Sequence, residues 1–150
     1  MGLKIGDKAP AFKLKNQNGE VIYAGEYLGN TPLIIYFYPK NFTPGCTAQA
    51  CSFRDQYQDF LEAGAKVFGI SSDSVESHKR FREKHHLPFD TLADKSNSVR
   101  RRYGVKGNLL GLIPGRETFV IDKDGVIQMK FNSMAASQHI PKALEVVKSF

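Results

Sequence analysis

The sequence has no tryptophan and only two cysteines, Cys46 and Cys51. Two are too few for the disulfide framework that staples small secreted domains. Long hydrophobic runs are also missing. The longest uninterrupted apolar stretch, Leu33 to Tyr38, falls far short of the roughly 20 residues that span a bilayer. No charged segment followed by an apolar one opens the chain, so neither a secretory route nor a membrane partner is expected and the expected location is cytoplasmic. Negative charge is in the minority, with 15 Asp and Glu against 21 Lys and Arg, a net of +6. The positive excess is dispersed. Its one tight run, Arg100-Arg101-Arg102, reads as a solvated helix face or loop. No nucleic-acid motif accompanies it, which excludes nucleic acid as the expected partner.

What remains is an ordinary globular composition. In 150 residues, 41% are hydrophobic and 11 are phenylalanine, enough for one domain over 1–150 with a full core. A domain of this size buries roughly 70% of its unfolded surface.

Turn residues crowd the first 30 positions. Short strands around Ala11 to Lys15 and Glu20 to Tyr23, joined at Asn18-Gly19, predict a hairpin. The run Leu33 to Tyr38, bounded by Pro32 and Pro39, has the pattern of a strand buried on both faces. Ala50, Phe53, Tyr57, Phe60 and Leu61 then recur at helical spacing, and Gly64 is placed to end one continuous helix. A buried strand over Lys66 to Ser71 follows. A helix capped by Ser74 runs to the stop His85-His86-Leu87-Pro88, and a third helix is predicted over Lys95 to Tyr103. Glu117 to Asp122, the turn Lys123-Asp124-Gly125, and Val126 to Phe131 form a second hairpin, and Ile140 to Phe150 a closing amphipathic helix. This order defines an α/β fold with a mixed sheet flanked by helices, of thioredoxin-like topology.

The chemistry concentrates in Tyr38-Pro39-Lys40-Asn41-Phe42-Thr43-Pro44-Gly45-Cys46 and on to Cys51, where the buried strand hands over to a helix. In α/β sheets that carboxyl edge is where sites are built. Cys46 falls in the first turn of the helix, among unpaired backbone N–H groups and the positive end of the macrodipole, both of which favour thiolate over thiol. The hydroxyl of Thr43 is near enough in sequence to donate to the same place. Cys51 follows five residues later. On an intact helix two such Cα atoms lie roughly 8–9 Å apart, beyond disulfide reach. The two sulfurs can therefore meet only if the first turns unwind, which a redox cycle can use and a static staple cannot.

Blander readings compete. The cysteines could be two unrelated small hydrophobes. A zinc site would need two more ligands, and the spacing of His78, His85 and His86 fits no finger or ribbon, leaving these as exposed or capping histidines. Asn41-Phe42-Thr43 is formally a glycosylation sequon, read as accidental. The series Gly104, Gly107, Gly111 and Gly115 matches no phosphate fingerprint and reads as a mobile loop.

The segments Tyr38-Pro39, Thr43-Pro44-Gly45-Cys46-Thr47 and Cys51-Ser52-Phe53-Arg54-Asp55 resemble the active-site stretch of the peroxiredoxin Q subfamily, also called bacterioferritin comigratory protein. Gly6-Asp7-Lys8-Ala9-Pro10, Ser77-His78-Lys79 with Leu87-Pro88-Phe89, and Gly115-Arg116-Glu117-Thr118-Phe119-Val120-Ile121-Asp122 extend the likeness over nearly the whole chain. The resemblance implies a thiol-dependent peroxidase reducing hydrogen peroxide and organic hydroperoxides, with no cofactor and no metal. Cys46 would attack the peroxide and become a sulfenic acid. Cys51 would resolve it as an intramolecular disulfide, reduced in turn by thioredoxin. Thr43 would hydrogen-bond the thiolate and the peroxide, Arg116 would stabilise the developing charge, and Pro39 would shape the pocket. Gln49 and Gly115 stand where many bacterial members carry glutamate and proline. With Asn132 and His139-Ile140 they resemble the plant and cyanobacterial branch, which keeps a plastid open as the alternative location. With both cysteines in one chain, a monomer is expected. The rivals are a general thiol–disulfide oxidoreductase, which normally shows Cys-x-x-Cys, and a redox-switched binding protein or chaperone.

Overall fold

The computed structural model describes residues 3–105, 115–132 and 139–150. The hydrophobic run forms β3 (Leu33–Phe37), every residue of which is buried. Side chains alternate across a strand, so Ile34 and Tyr36 enter the core on one face while Leu33, Ile35 and Phe37 enter the other. A strand apolar throughout can only sit in the middle of a sheet, and β3 does so.

It pairs parallel with β4 (Lys66–Ser71) and antiparallel with β6 (Glu117–Ile121). Beyond β4 come β5 (Asp90–Ala93) and the hairpin of β1 (Lys13–Lys15) and β2 (Val21–Tyr23). Beyond β6 comes β7 (Ile127–Asn132), and the order across the seven strands is β2-β1-β5-β4-β3-β6-β7. The N-terminal hairpin thus extends the central sheet, through the pair Lys15 and Ala93. One face is covered by α1 (Pro44–Asp55), α2 (Tyr57–Glu62), α3 (Val75–His85) and α5 (His139–Lys148), which contribute Phe53, Phe60, Phe81 and Ala143 to the core. The other face packs Phe12, Val99 and Tyr103, brought there by the N-terminal segment and by α4 (Ser98–Arg102) with the residue that caps its end. The arrangement is the thioredoxin-like mixed sheet between helices that the element order implies.

Three details differ from the sequence reading. The long helix expected through Leu61 is two helices, broken at Gln56 (φ −104°, ψ 8°). The break turns Tyr57 toward Phe89, 6.1 Å between ring centroids, while Phe60 stays 5.6 Å from Phe53. The third helix begins at Ser98 rather than Lys95, because the Asp94 carboxylate accepts the N–H groups of Val99 and Arg100 and fixes its start there. Strand β5 has no sequence signal; Asp-Thr-Leu-Ala is too short to display a period, and only its pairing with β4 and β1 defines it. The Ser74 cap is present, its hydroxyl accepting from Ser77 N at 3.1 Å, and His86 ends α3 in the left-handed region. The reading of Gly107 and Gly111 as a mobile loop falls outside the described residues.

Tyr36 shows how tightly the central strands fit. Its ring stacks on Phe53 at 4.6 Å and on Tyr38 at 5.3 Å, and it lies over Gly69, its partner in register on β4. A Cβ at Gly69 would come within 2.7 Å of that ring. Neighbours on every side prevent the ring from yielding. Gly69→Ala is therefore expected to destabilise the fold by roughly 1–3 kcal/mol, the usual consequence of overpacking, measured as a lower urea midpoint at unchanged slope.

Candidate active site

Helix α1 starts where β3 ends. Thr43 is its N-cap residue, with extended backbone (φ −86°, ψ 150°), and Pro44 occupies the first helical position, where a missing N–H costs nothing. Cys46 is the third helical residue. Its sulfur lies at the positive end of the helix and is buried, the residue being 2% exposed.

A cation meets it from another element. Phe37, the last residue of β3, pairs with Glu117, the first of antiparallel β6. The residue before β6, Arg116, therefore emerges at the same sheet edge as the cysteine loop. Its Nη2 donates to Cys46 Sγ at 3.2 Å, and its Nη1 donates to Gln49 Oε1 one turn along α1. Both Arg116 and Gln49 are buried. Gly45 leaves the guanidinium room, since a Cβ there would lie 3.1 Å from Arg116 Nη2. The buried guanidinium thus places a positive charge in contact with the sulfur, on the same side as the positive end of the helix.

Arg100 departs from the sequence expectation. Within the Arg100-Arg101-Arg102 run only Arg101 and Arg102 are exposed, whereas Arg100 is buried. Its Nη2 donates to Tyr38 O and its Nη1 to Gly115 O, both at 2.6 Å. One guanidinium thus ties the exit of β3 to the segment carrying Arg116. Burial lowers the pKa of Arg100, with the charges of Asp94 and Cys46 opposing.

Pro39 is half-buried between Tyr38 and the loop. The Thr43 hydroxyl donates to Lys40 O at 2.8 Å instead of to Cys46. As N-cap residue it already commits its carbonyl to Thr47 N, 2.8 Å, and the side chain folds back over the loop. Cys51 lies further along α1, half-buried. Both thiols are free, and the helix between them is unbroken.

The loop is seated by a buried polar network that the sequence did not reveal. Asn41 N donates to Asp73 Oδ2 at 2.8 Å, and Asn41 Nδ2 lies 3.2 Å from Ser77 Oγ and from His78 Nδ1. Tyr38 donates its hydroxyl to Asn41 Oδ1 at 2.5 Å. The sequon asparagine is thus committed inside the protein. His78, expected to be exposed or capping, is fully buried, with Ser71 Oγ 3.3 Å from Nε2. Desolvation pushes its pKa down to about 4, against the opposing charge of Asp73. His86 does cap α3, and His85 lies beside Cys51. Among the described residues no group of three His, Cys, Asp or Glu could hold a metal ion, and no helix is long and apolar enough to cross a membrane.

A buried thiol at a helix start, faced by a guanidinium on a thioredoxin-like sheet, is the arrangement of thiol-based peroxidases. The AhpC/TSA family model matches residues 5–130, and the chain belongs to that family. Within it the chain is a peroxiredoxin of the Q type. It is 48% identical over 145 residues to chloroplastic peroxiredoxin Q of Sedum lineare, covering 96% of this chain and 77% of the relative. Peroxidoxin BcpB of Mycobacterium tuberculosis superposes with a TM-score of 0.90 at 35% identity, covering 99% of this chain and 98% of that one. The bacterioferritin comigratory protein of Xanthomonas campestris, described for its alkyl peroxide reduction activity, superposes at 0.84 with 29% identity, over 92% and 90% of the two chains. The protein is a peroxidase that uses a thiol reductant. Plant relatives carry the name chloroplastic, which supports the plastid alternative and gives the cytoplasmic expectation no support.

Because His78 titrates near 4 when folded and near 6.5 when unfolded, the unfolded chain binds its proton first on acidification. The resulting stability is complete above about pH 6.5, declines through the window down to about 4, and is constant below it. Unfolding free energies from urea titrations across that window should fall more steeply for the wild type than for His78→Gln, by a difference of up to about 3 kcal/mol. Parallel curves would remove His78 from the account.

Proposed function

We propose that Cys46 is the peroxidatic and Cys51 the resolving cysteine of an intramolecular two-cysteine cycle. The observation that carries this is the 3.2 Å contact between Arg116 Nη2 and the buried Cys46 sulfur at the first turn of α1. The Cys46 thiolate attacks one peroxide oxygen and the O–O bond breaks. Cys46 becomes a sulfenic acid, and the departing oxygen takes a proton to leave as water or an alcohol. Charge passes from sulfur to that oxygen during the attack, so a fixed guanidinium beside both stabilises the transition state. Gln49 holds Arg116 on its far side and Arg100 holds the backbone beneath it; both are positioning residues. Pro39 shields the sulfur. Thr43 braces the loop through Lys40 O at rest, and reaching a peroxide oxygen requires its side chain to rotate.

The Cys51 thiol then displaces hydroxide from the sulfenic sulfur, giving the Cys46–Cys51 disulfide and water. Since α1 is continuous between them, its first turns unwind for this step. A thioredoxin-like dithiol restores both thiols by exchange. Substrates are hydrogen peroxide and organic hydroperoxides, the latter supported by the alkyl peroxide activity of the Xanthomonas relative. The chain acts as a single-domain monomer, and its plant relatives support a plastid location.

Peroxide consumption coupled to thioredoxin, thioredoxin reductase and NADPH tests the assignment. Cys46→Ser should lower turnover at least about a thousandfold. Cys51→Ser should still consume one equivalent of peroxide yet lose cycling with thioredoxin. Equal turnover in wild type and Cys46→Ser would sink the assignment. Oxidation-dependent partner binding without turnover would favour a redox-switched binding protein.

A further inference from the structure

Resolution makes a demand on Cys51 that nothing around Cys46 supplies: its thiol must lose a proton as it attacks. Cys51 Sγ lies 3.9 Å from Nδ1 of His85, the last residue of α3. Both residues are half-buried. The imidazole is fixed on its other sides by Phe81, 5.1 Å between centroids, and by Phe42 of the cysteine loop, 6.5 Å. Its pKa is lowered by desolvation, and by its neighbours Lys84 on α3, Arg54 on α1 and the capping residue His86. The ring is therefore neutral near pH 7, with a nitrogen lone pair available to the thiol.

A second contact holds the histidine beside the later part of α1. Arg54, three residues beyond Cys51, donates from Nη1 to His85 O at 2.7 Å. This contact fastens the end of α3 to the part of α1 that follows Cys51, whereas the turn that must open for disulfide formation precedes it. Pro44 and Gly45 in that turn are exposed, while Ala50 and Phe53 flanking Cys51 are buried.

We propose that His85 is the general base of the resolving step, its Nδ1 taking the Sγ proton of Cys51 as that sulfur attacks the Cys46 sulfenic acid. The inference rests on the two-cysteine cycle proposed above. An S–S bond forms and the S–O bond of the sulfenic acid breaks. The departing hydroxide takes a proton from the imidazolium or from solvent and leaves as water. Cys51 sulfur is oxidised by one electron equivalent and Cys46 sulfur reduced by one, so the only oxidant is the peroxide already consumed.

Single-turnover mixing of reduced protein with one equivalent of hydrogen peroxide separates the two steps. Residual peroxide reports the first, and alkylation with mass analysis after acid quench reports the disulfide. In His85→Asn and His85→Gln the disulfide phase should slow by about tenfold or more relative to the peroxide phase at pH 7. The deficit should close above about pH 9, where thiols ionise without help, and added imidazole should restore part of the rate. The wild-type disulfide phase should itself slow on acidification as His85 takes a proton. Equal disulfide rates in wild type and variants, or a deficit constant with pH and deaf to imidazole, would overturn the role of His85. Absence of the peroxide phase in the wild type would instead overturn the Cys46 assignment, and this proposal with it.

Discussion

The rest of the site depends on one contact, a buried guanidinium against a buried sulfur. Neither group is at ease out of water, and a desolvated cation without partners would cost several kcal/mol. The fold answers with one direct acceptor, one clearance and one backbone clamp. Gln49 accepts from Arg116 on the side away from the sulfur, Gly45 keeps clear of its path, and Arg100 clamps the preceding carbonyl at Gly115. That clamp also takes Tyr38 O, so the end of β3 and the approach to β6 are held at one spacing. The antiparallel register of β3 and β6 then decides where Arg116 emerges. A slip of one residue would send it to the opposite face of the sheet.

On the other side of the loop, attachment is through Asn41. Asp73, Ser77, His78 and Tyr38 all meet that one residue, which makes α3 as much a support of the cysteine loop as α1 is. Phe42 next to it adopts positive φ (66°) and leaves its ring partly exposed over Phe81. A β-carbon in that conformation is disfavoured, so the packing around Asn41 and Phe81 must hold it there.

Much of this is legible in the sequence, for identifiable reasons. The run Leu33 to Tyr38 and the hairpin after Glu117 announce themselves by hydrophobic pattern and turn chemistry, which are local. Cys46 was readable because strand, proline, glycine and helix start follow one another along the chain. Arg116 was reachable only through family likeness, since nothing near it in sequence distinguishes it from a surface arginine. The burial of Arg100 is not legible because its neighbours Arg101 and Arg102 are solvated and a helix of five residues shows no clear face. Asn41 and His78 lie 37 residues apart. Polar groups that find each other over such a separation leave no periodic trace.

In the proposed cycle, placing both cysteines on a single helix also sets the kinetic order of the chemistry. The step that follows oxidation is unimolecular, so its half-time is the same in a dilute and a crowded compartment. A second peroxide molecule competes for the same sulfenic sulfur, and that reaction scales with peroxide concentration. The ratio of the two defines a threshold dose above which the enzyme inactivates itself. That threshold belongs to the helix: whatever tightens the first turn of α1 lowers it, and whatever loosens that turn raises it.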